Sequence, residues 1–185
     1  MPAIPLRVFI TPFAVRGTSE PTAWTCDDAA DVLNVVNSIW SKSKIQFVIQ
    51  QCSVDKPLDM ATEARNNDHR VLDVLSMRRP AGSNIHIFLL NSIPNLKAGG
   101  GSYLDSDPEA ASFVQSYGNN TASGRAWAHE LGHLLSLDHV KMPNTPSAKD
   151  LSNLMREGLS VGIELSAPQI DQAQKSKLAQ RFSAS

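Results

Sequence analysis

Residues 129–139 read His-Glu-Leu-Gly-His-Leu-Leu-Ser-Leu-Asp-His, and the rest of the chain can be arranged around them. His129 and His133 are four apart, so on an α-helix their imidazoles lie on one face and can share a metal ion. Glu130, next to the first histidine, can reach a metal-bound water without ligating the metal. His139 lies six residues past His133, which on an uninterrupted helix rotates it about 240° away. It must therefore arrive after the helix has ended and the chain has turned back. Three neutral imidazoles plus one water make the open four-coordinate site of catalytic zinc. Chance places the first five residues of this pattern in roughly one such chain in a few hundred, and adding the third histidine lowers that to about one in ten thousand.

Outward from this stretch, the helix that carries it begins at about Thr121 or Ser123 and ends at about Leu135, after the turn Gly118-Asn119-Asn120. The loop beyond it contains Pro143 and Pro146. A final helix begins at Ser166, where Ser-Ala-Pro-Gln169 has the form of a capping box. Ile170, Ala173, Leu178 and Phe182 then mark its packing stripe.

The pattern resembles the long zinc signature of the metzincin peptidases, His-Glu-x-x-His-x-x-Gly-x-x-His. His129, Glu130, His133 and His139 carry it here, and Asn153-Leu154-Met155 resembles the methionine turn beneath the zinc of those enzymes. The resemblance implies a zincin-like α/β (α+β) fold. Its N-terminal lobe, about residues 1–139, would hold a twisted mixed sheet and two long helices. A small C-terminal lobe, about 140–185, would hold the Met-turn and the terminal helix, the whole of 1–185 forming one catalytic domain. It also implies a zinc-dependent endopeptidase with one Zn2+ on His129, His133 and His139. Glu130 would activate the zinc-bound water, and Met155 would lie under the metal without ligating it. Asn91 to Leu104 would fall near the edge strand that pairs with extended substrate, and Glu157 to Gly162 would line the pocket beyond the scissile bond.

Two departures from the family pattern stand out. No tyrosine follows Met155 where some metzincins keep a fifth zinc ligand. Ser136 takes the place of the usual glycine. For His139 to reach the metal the chain must reverse within three residues of Leu135, and a left-handed residue makes such a reversal. Ser136 is therefore predicted to have positive φ just past the helix end.

The preceding segments read in the order strand, helix, strands. Leu6–Phe13 forms a first strand and Pro12 marks its end. From Asp27 to Trp40 the residues Ala29, Val32, Leu33, Val36, Ile39 and Trp40 recur at helical spacing. Lys44–Gln50 is a half-buried strand, and Asp68–Met77 a short helix. Asn84–Leu90 is the most strand-like run and is expected at the centre of a sheet. Leu96–Leu104 ends in a short extended piece, and Ala111–Tyr117 is a further strand.

The composition fits one domain with a real core: 185 residues, 42% hydrophobic and 19% charged. Seventeen Lys+Arg against eighteen Asp+Glu leave a net charge of −1, which gives no basic face for a nucleic acid. The densest basic pairs, Lys42/Lys44 and Arg78/Arg79, read as solvated turns. No apolar run approaches the ~18 residues of a membrane span, so no membrane insertion is expected. A protein or peptide substrate and a monomeric enzyme are expected. The N-terminus shows no cleavable signal, which tips the localisation toward leaderless export or secretion over the cytoplasm. A delivered toxin or effector with a dedicated inhibitor protein stays open as an alternative. So does a zinc-site binding module with lapsed activity, against which the intact Glu130 argues.

Other residues carry less. Cys26 and Cys52 are too few for a framework, and the sequence leaves open buried free thiols or a single bridge across a helix–strand unit. A bridge would favour an oxidising destination. His86 and His69 lack ligand spacing and read as structural. Asp105, Asp107 and Glu109 form an acidic turn able to hold calcium through hard oxygens. Asp138 can support a zinc histidine through its carboxylate.

Overall fold

The structure, a computed structural model, describes residues 3–11, 24–54, 85–90, 100–103, 111–115, 119–157 and 162–183. The expected helix Asp68–Met77, His69, Arg78/Arg79, the acidic turn 105–109 and the segment 91–99 lie outside the described residues.

Five strands make one sheet: β1 (Ala3–Thr11), β2 (Gln46–Val54), β3 (Ile85–Leu90), β4 (Gly100–Tyr103) and β5 (Ala111–Gln115), in the order β2-β1-β3-β5-β4. The first four in that order run parallel, and β4 at the end pairs antiparallel with β5. This is the expected mixed sheet. β3 sits in its middle with all six residues buried, five of them apolar and the sixth His86, as a strand covered on both faces requires. β1 carries Pro5 although it has neighbours on both sides. Pairing with β3 starts only at Leu6, which places the proline at the strand's entry, where a missing N–H is tolerated. β2 runs on to Val54, beyond the expected Gln50, paired with β1 as far as Ile10, with a register shift between Leu6 and Arg7.

Two 15-residue helices pack against each other beside this sheet: α1 (Cys26–Trp40) and α2 (Asn120–Leu134). Thr25 and Asp28 close a capping box at the start of α1. The Thr25 hydroxyl and main-chain N–H, both donating to the Asp28 carboxylate, hold its pKa below the usual value. α1 turns its buried stripe Ala29, Val32, Leu33, Val36 and Trp40 inward, against Ile4, Leu6, Val8 and Ile10 of β1 and Ile85, Ile87 and Leu89 of β3. Trp40 anchors the layer: its ring meets Phe47 edge-on at 5.9 Å, and its indole N–H donates to the Ala128 carbonyl of α2 over 3.2 Å. His86 lies outside that cluster and is fully buried, its ring 5.4 Å from that of Phe9.

Cys26 and Cys52 form a disulfide, with Cα atoms 5.9 Å apart, which ties the first residue of α1 to the end of β2. Of the two states the sequence left open, the bridge is the one observed.

After His139 come the short helix α3 (Ala148–Ser152) and two consecutive helices, α4 (Ala167–Lys175) and α5 (Lys177–Ser183). The expected Ser166–Gln169 capping box is present. The terminal helix is not continuous, however. Ser176 leaves helical dihedrals, with φ −58° and ψ 146°, and its hydroxyl accepts from the Ala179 N–H as the cap of α5. A serine that bonds the backbone locally offers a cap as readily as another turn, so the apolar stripe alone did not reveal the break. Among the described residues no helix is long and apolar enough to cross a membrane.

Candidate metal centre

Helix α2 starts where Asn119 accepts the Ala122 N–H at 2.8 Å, and it carries His129 and His133 one turn apart. It ends in a Schellman arrangement. The Leu137 N–H reaches the Gly132 carbonyl at 3.0 Å and the Ser136 N–H reaches that of His133 at 2.9 Å. Ser136 has φ 66°, the left-handed conformation expected from the motif. That one residue reverses the chain and brings His139 back over the helix face.

The three histidines converge. Every pair of their Nε2 atoms is 3.1 Å apart. Two of the rings are oriented from behind by main-chain oxygens. His129 Nδ1 lies 2.7 Å from the Leu154 carbonyl and His133 Nδ1 2.8 Å from the Leu137 carbonyl. A carbonyl only accepts, so both Nδ1 atoms carry the proton and both Nε2 atoms present lone pairs. The 3.1 Å between those two Nε2 atoms is therefore lone pair against lone pair, an arrangement that a shared cation makes favourable. Nitrogens about 3.3 Å apart are what tetrahedral coordination at 2.0–2.1 Å demands, so the donor set fits zinc. Burial pushes the His129 imidazole down to about 4 despite its carbonyl partner, and burial lowers His133 as well. Both are thus neutral at pH 7, the form that binds a metal.

Asp138 is exposed, and the observed Nδ1 partners of His129 and His133 are carbonyl oxygens rather than its carboxylate. The sequence carries no signal for such partners, because any residue has a carbonyl.

Met155 is fully buried beneath this helix. A Cβ on Gly132 would run into its sulfur, so the glycine is what lets the methionine lie against the segment between the two helical histidines. Asn153 shapes the turn: its side-chain oxygen accepts from the Met155 N–H at 2.8 Å, and its amide pairs with that of Gln169 at 2.9 and 3.2 Å. Leu154 lies between them and supplies the carbonyl that holds His129. The Val140 N–H bonds the Met155 carbonyl at 2.8 Å, which fastens the chain leaving His139 to the same turn.

Glu130, also buried, points toward the sheet edge. Its carboxylate oxygen Oε2 accepts the Ser102 hydroxyl of β4 at 2.7 Å. The sequence reading had Glu130 but not this partner, since nothing local connects two residues 28 apart.

The family model described as metallo-peptidase family M12B, reprolysin-like, matches residues 27–140, which include Glu130 and all three histidines. The chain belongs to that family. It is a zinc metallopeptidase, a hydrolase, and Zn2+ is its cofactor. The fold agrees with solved zincin-like structures. A metalloproteinase-II from Bacteroides fragilis superposes with TM-score 0.55 at 13% identity over 92% of this chain and 52% of that one. A zinc-dependent peptidase from Methanocorpusculum labreanum (strain Z) does so with TM-score 0.53 at 14% identity over 91% of this chain and 99% of that one. The chain thus spans about half the length of the Bacteroides protein. Comparison with curated proteins found no significant match.

Proposed function

We propose that this metallopeptidase is an endopeptidase that cleaves extended protein or peptide substrates, with zinc held by His129, His133 and His139 and Glu130 as general base. The observation that carries the reading is the convergence of three Nε2 atoms at 3.1 Å, two of them with their protons turned to carbonyls, on the helix that also bears Glu130. Zinc, when bound, supplies Lewis acidity: it polarises a scissile carbonyl and lets water lose a proton near neutral pH. Glu130 takes that proton and returns it to the leaving amine. Main-chain oxygens of Leu154 and Leu137 keep the two helical imidazoles in the tautomer that leaves Nε2 open. Met155 packs under the helix and supports the histidine positions without a donor role. Strand β4, at the end of the sheet, offers the edge along which a peptide would lie extended, with main-chain bonds for affinity. Seating of Glu130 by Ser102 speaks against a lapsed binding module. The Cys26–Cys52 bridge supports work in an oxidising compartment, reached by export.

Metal analysis and casein cleavage test the assignment together. His139→Ala should lose most of the one zinc per chain at neutral pH. Glu130→Ala should keep its zinc and its fold while turnover drops at least ~100-fold. Full zinc retention in the first variant, or undiminished turnover in the second, would sink the corresponding role.

A further inference from the structure

We propose that Ser102 is a positioning residue for Glu130, so that strand β4 sets the place of the general base as well as forming the sheet edge. The inference rests on the base role given to Glu130 above.

The geometry comes from two alternate residues of one short strand. Gly100 and Ser102 both face helix α2. At Gly100 the approach is so close that an added Cβ would stand 2.7 Å from Glu130 Cγ, 2.8 Å from Oε1 and 2.8 Å from the Phe113 carbonyl oxygen. Only a residue without a Cβ leaves the glutamate room to lie against the strand. Two residues on, the Ser102 hydroxyl meets three oxygens: Glu130 Oε2 at 2.7 Å, the Glu130 carbonyl at 2.9 Å and the Ser112 hydroxyl at 3.3 Å. A serine has one proton to donate. The carboxylate is the nearest acceptor and carries charge, and a charge-assisted O–H···O⁻ bond is roughly twice as strong as a neutral one. At 3.3 Å the Ser112 contact is too long to compete. The proton therefore goes to Oε2, and that oxygen is pinned to the sheet.

A glutamate has three rotatable side-chain bonds, and a base must sit within hydrogen-bond reach of the proton it removes. Gly100 gives the side chain room against β4 and the Ser102 hydroxyl fixes Oε2, so the strand sets where the carboxylate stands. The Ser102 side chain faces the helix, whereas a peptide on the open edge would meet main-chain groups of β4. Loss of the hydroxyl should thus appear in kcat rather than in KM.

The test uses the full zinc-loaded chain with fluorescein-labelled casein, and compares crystal structures of the variants. Ser102→Ala should retain one zinc per chain and a wild-type melting temperature. Its kcat should fall about tenfold to a hundredfold, the usual penalty for a displacement of about 1 Å, with KM within about twofold. Its crystal structure should show the Glu130 carboxylate displaced or in more than one conformer. Ser102→Thr, which keeps the hydroxyl, should recover most of the rate and the single conformer. Ser102→Cys, of similar shape but a weak donor, should behave like alanine and guards against a folding failure of the alanine variant. An unmoved carboxylate in the Ala and Cys variants overturns the proposal, as does equal loss in Thr and Ala. Full activity of Ser102→Ala beside an inactive Glu130→Gln overturns Ser102 alone. An active Glu130→Gln overturns the base assignment, whatever Ser102 does to the carboxylate.

Discussion

The residues before His139 and those after it are held together by different means. In the first, β1, β3, α1 and α2 interlock through Ile4, Leu6, Ile85, Ile87, Val32, Val36, Trp40, Trp127 and Leu131, each almost wholly removed from water. In the second, few apolar side chains are fully buried among the described residues, Leu154, Met155, Ala173 and Ala179 being such. Single polar contacts do much of the tying. The Asn153 amide pairs with Gln169, the Leu154 N–H reaches the Glu164 carbonyl at 2.7 Å, and Gln174 Nε2 reaches back to the Ser43 carbonyl at 2.7 Å. Burial is non-directional and fixes where a helix lies; hydrogen bonds fix how a ring is turned. The part before His139 therefore places two imidazoles, and the part after it aims one of them.

The largest expected effect falls on the part before His139. Trp40→Ala removes a fully buried ring, its edge-on contact with Phe47 and the donor to Ala128. A loss of about 3–5 kcal/mol is expected in denaturant unfolding. Zinc affinity of the molecules still folded should change by less than this. If stability fell by less than about 1 kcal/mol, packing would not be what holds α2 in place.

Asn153→Ala probes the part after His139 and should reverse the pattern. It leaves the sheet core untouched and loosens the turn on which the Leu154 carbonyl is carried. Zinc affinity by chelator competition should fall about tenfold, the lower end for groups that orient a metal-bound histidine. Unfolding of the metal-free protein should change less than for Trp40→Ala. Equal zinc affinity in mutant and wild type would show that His129 is aimed by something other than this turn.

The same division explains what could be read from the chain. The strand β3 was legible from Asn84–Leu90 because a run buried on both faces has no polar alternation to interpret. α1 was legible because its stripe has helical period. The three histidines and Glu130 were legible from spacing, and Ser136 from the reversal that spacing forces. What escaped lies in contacts with no local pattern. Ser102 meets Glu130 across 28 residues, and the carbonyls of Leu137 and Leu154 belong to no motif at all. Ser176 looked like one more polar position of a helix until its hydroxyl was seen capping the next one.

The smallest effect is expected just past the end of α2, where the sequence departs from glycine. Ser136 holds φ 66°, a conformation that brings its Cβ close to the following carbonyl and costs roughly 1–2 kcal/mol for a residue with a side chain. Among the described residues its hydroxyl makes no bond to the last carbonyls of α2, so that cost is not recovered locally. Ser136→Gly removes the strain but adds freedom to the unfolded chain, worth about 0.4–1 kcal/mol in the opposite sense. The net should be a gain of about 1 kcal/mol, which for a chain of this size raises the melting temperature by roughly 2–4 °C. The bond that Gln172 donates to the Ser136 carbonyl uses only main chain at that position and survives the change. The path to His139 is unaltered as well, so zinc content should stay at one per chain. A bulky branched residue tests the sign: Ser136→Val should lower the melting temperature, because a β-branched side chain tolerates positive φ poorly. A glycine variant less stable than wild type would mean that the serine side chain contributes an interaction outweighing the strain. One with lost zinc would mean that the stiffness of this single turn, and not its path alone, sets the position of His139.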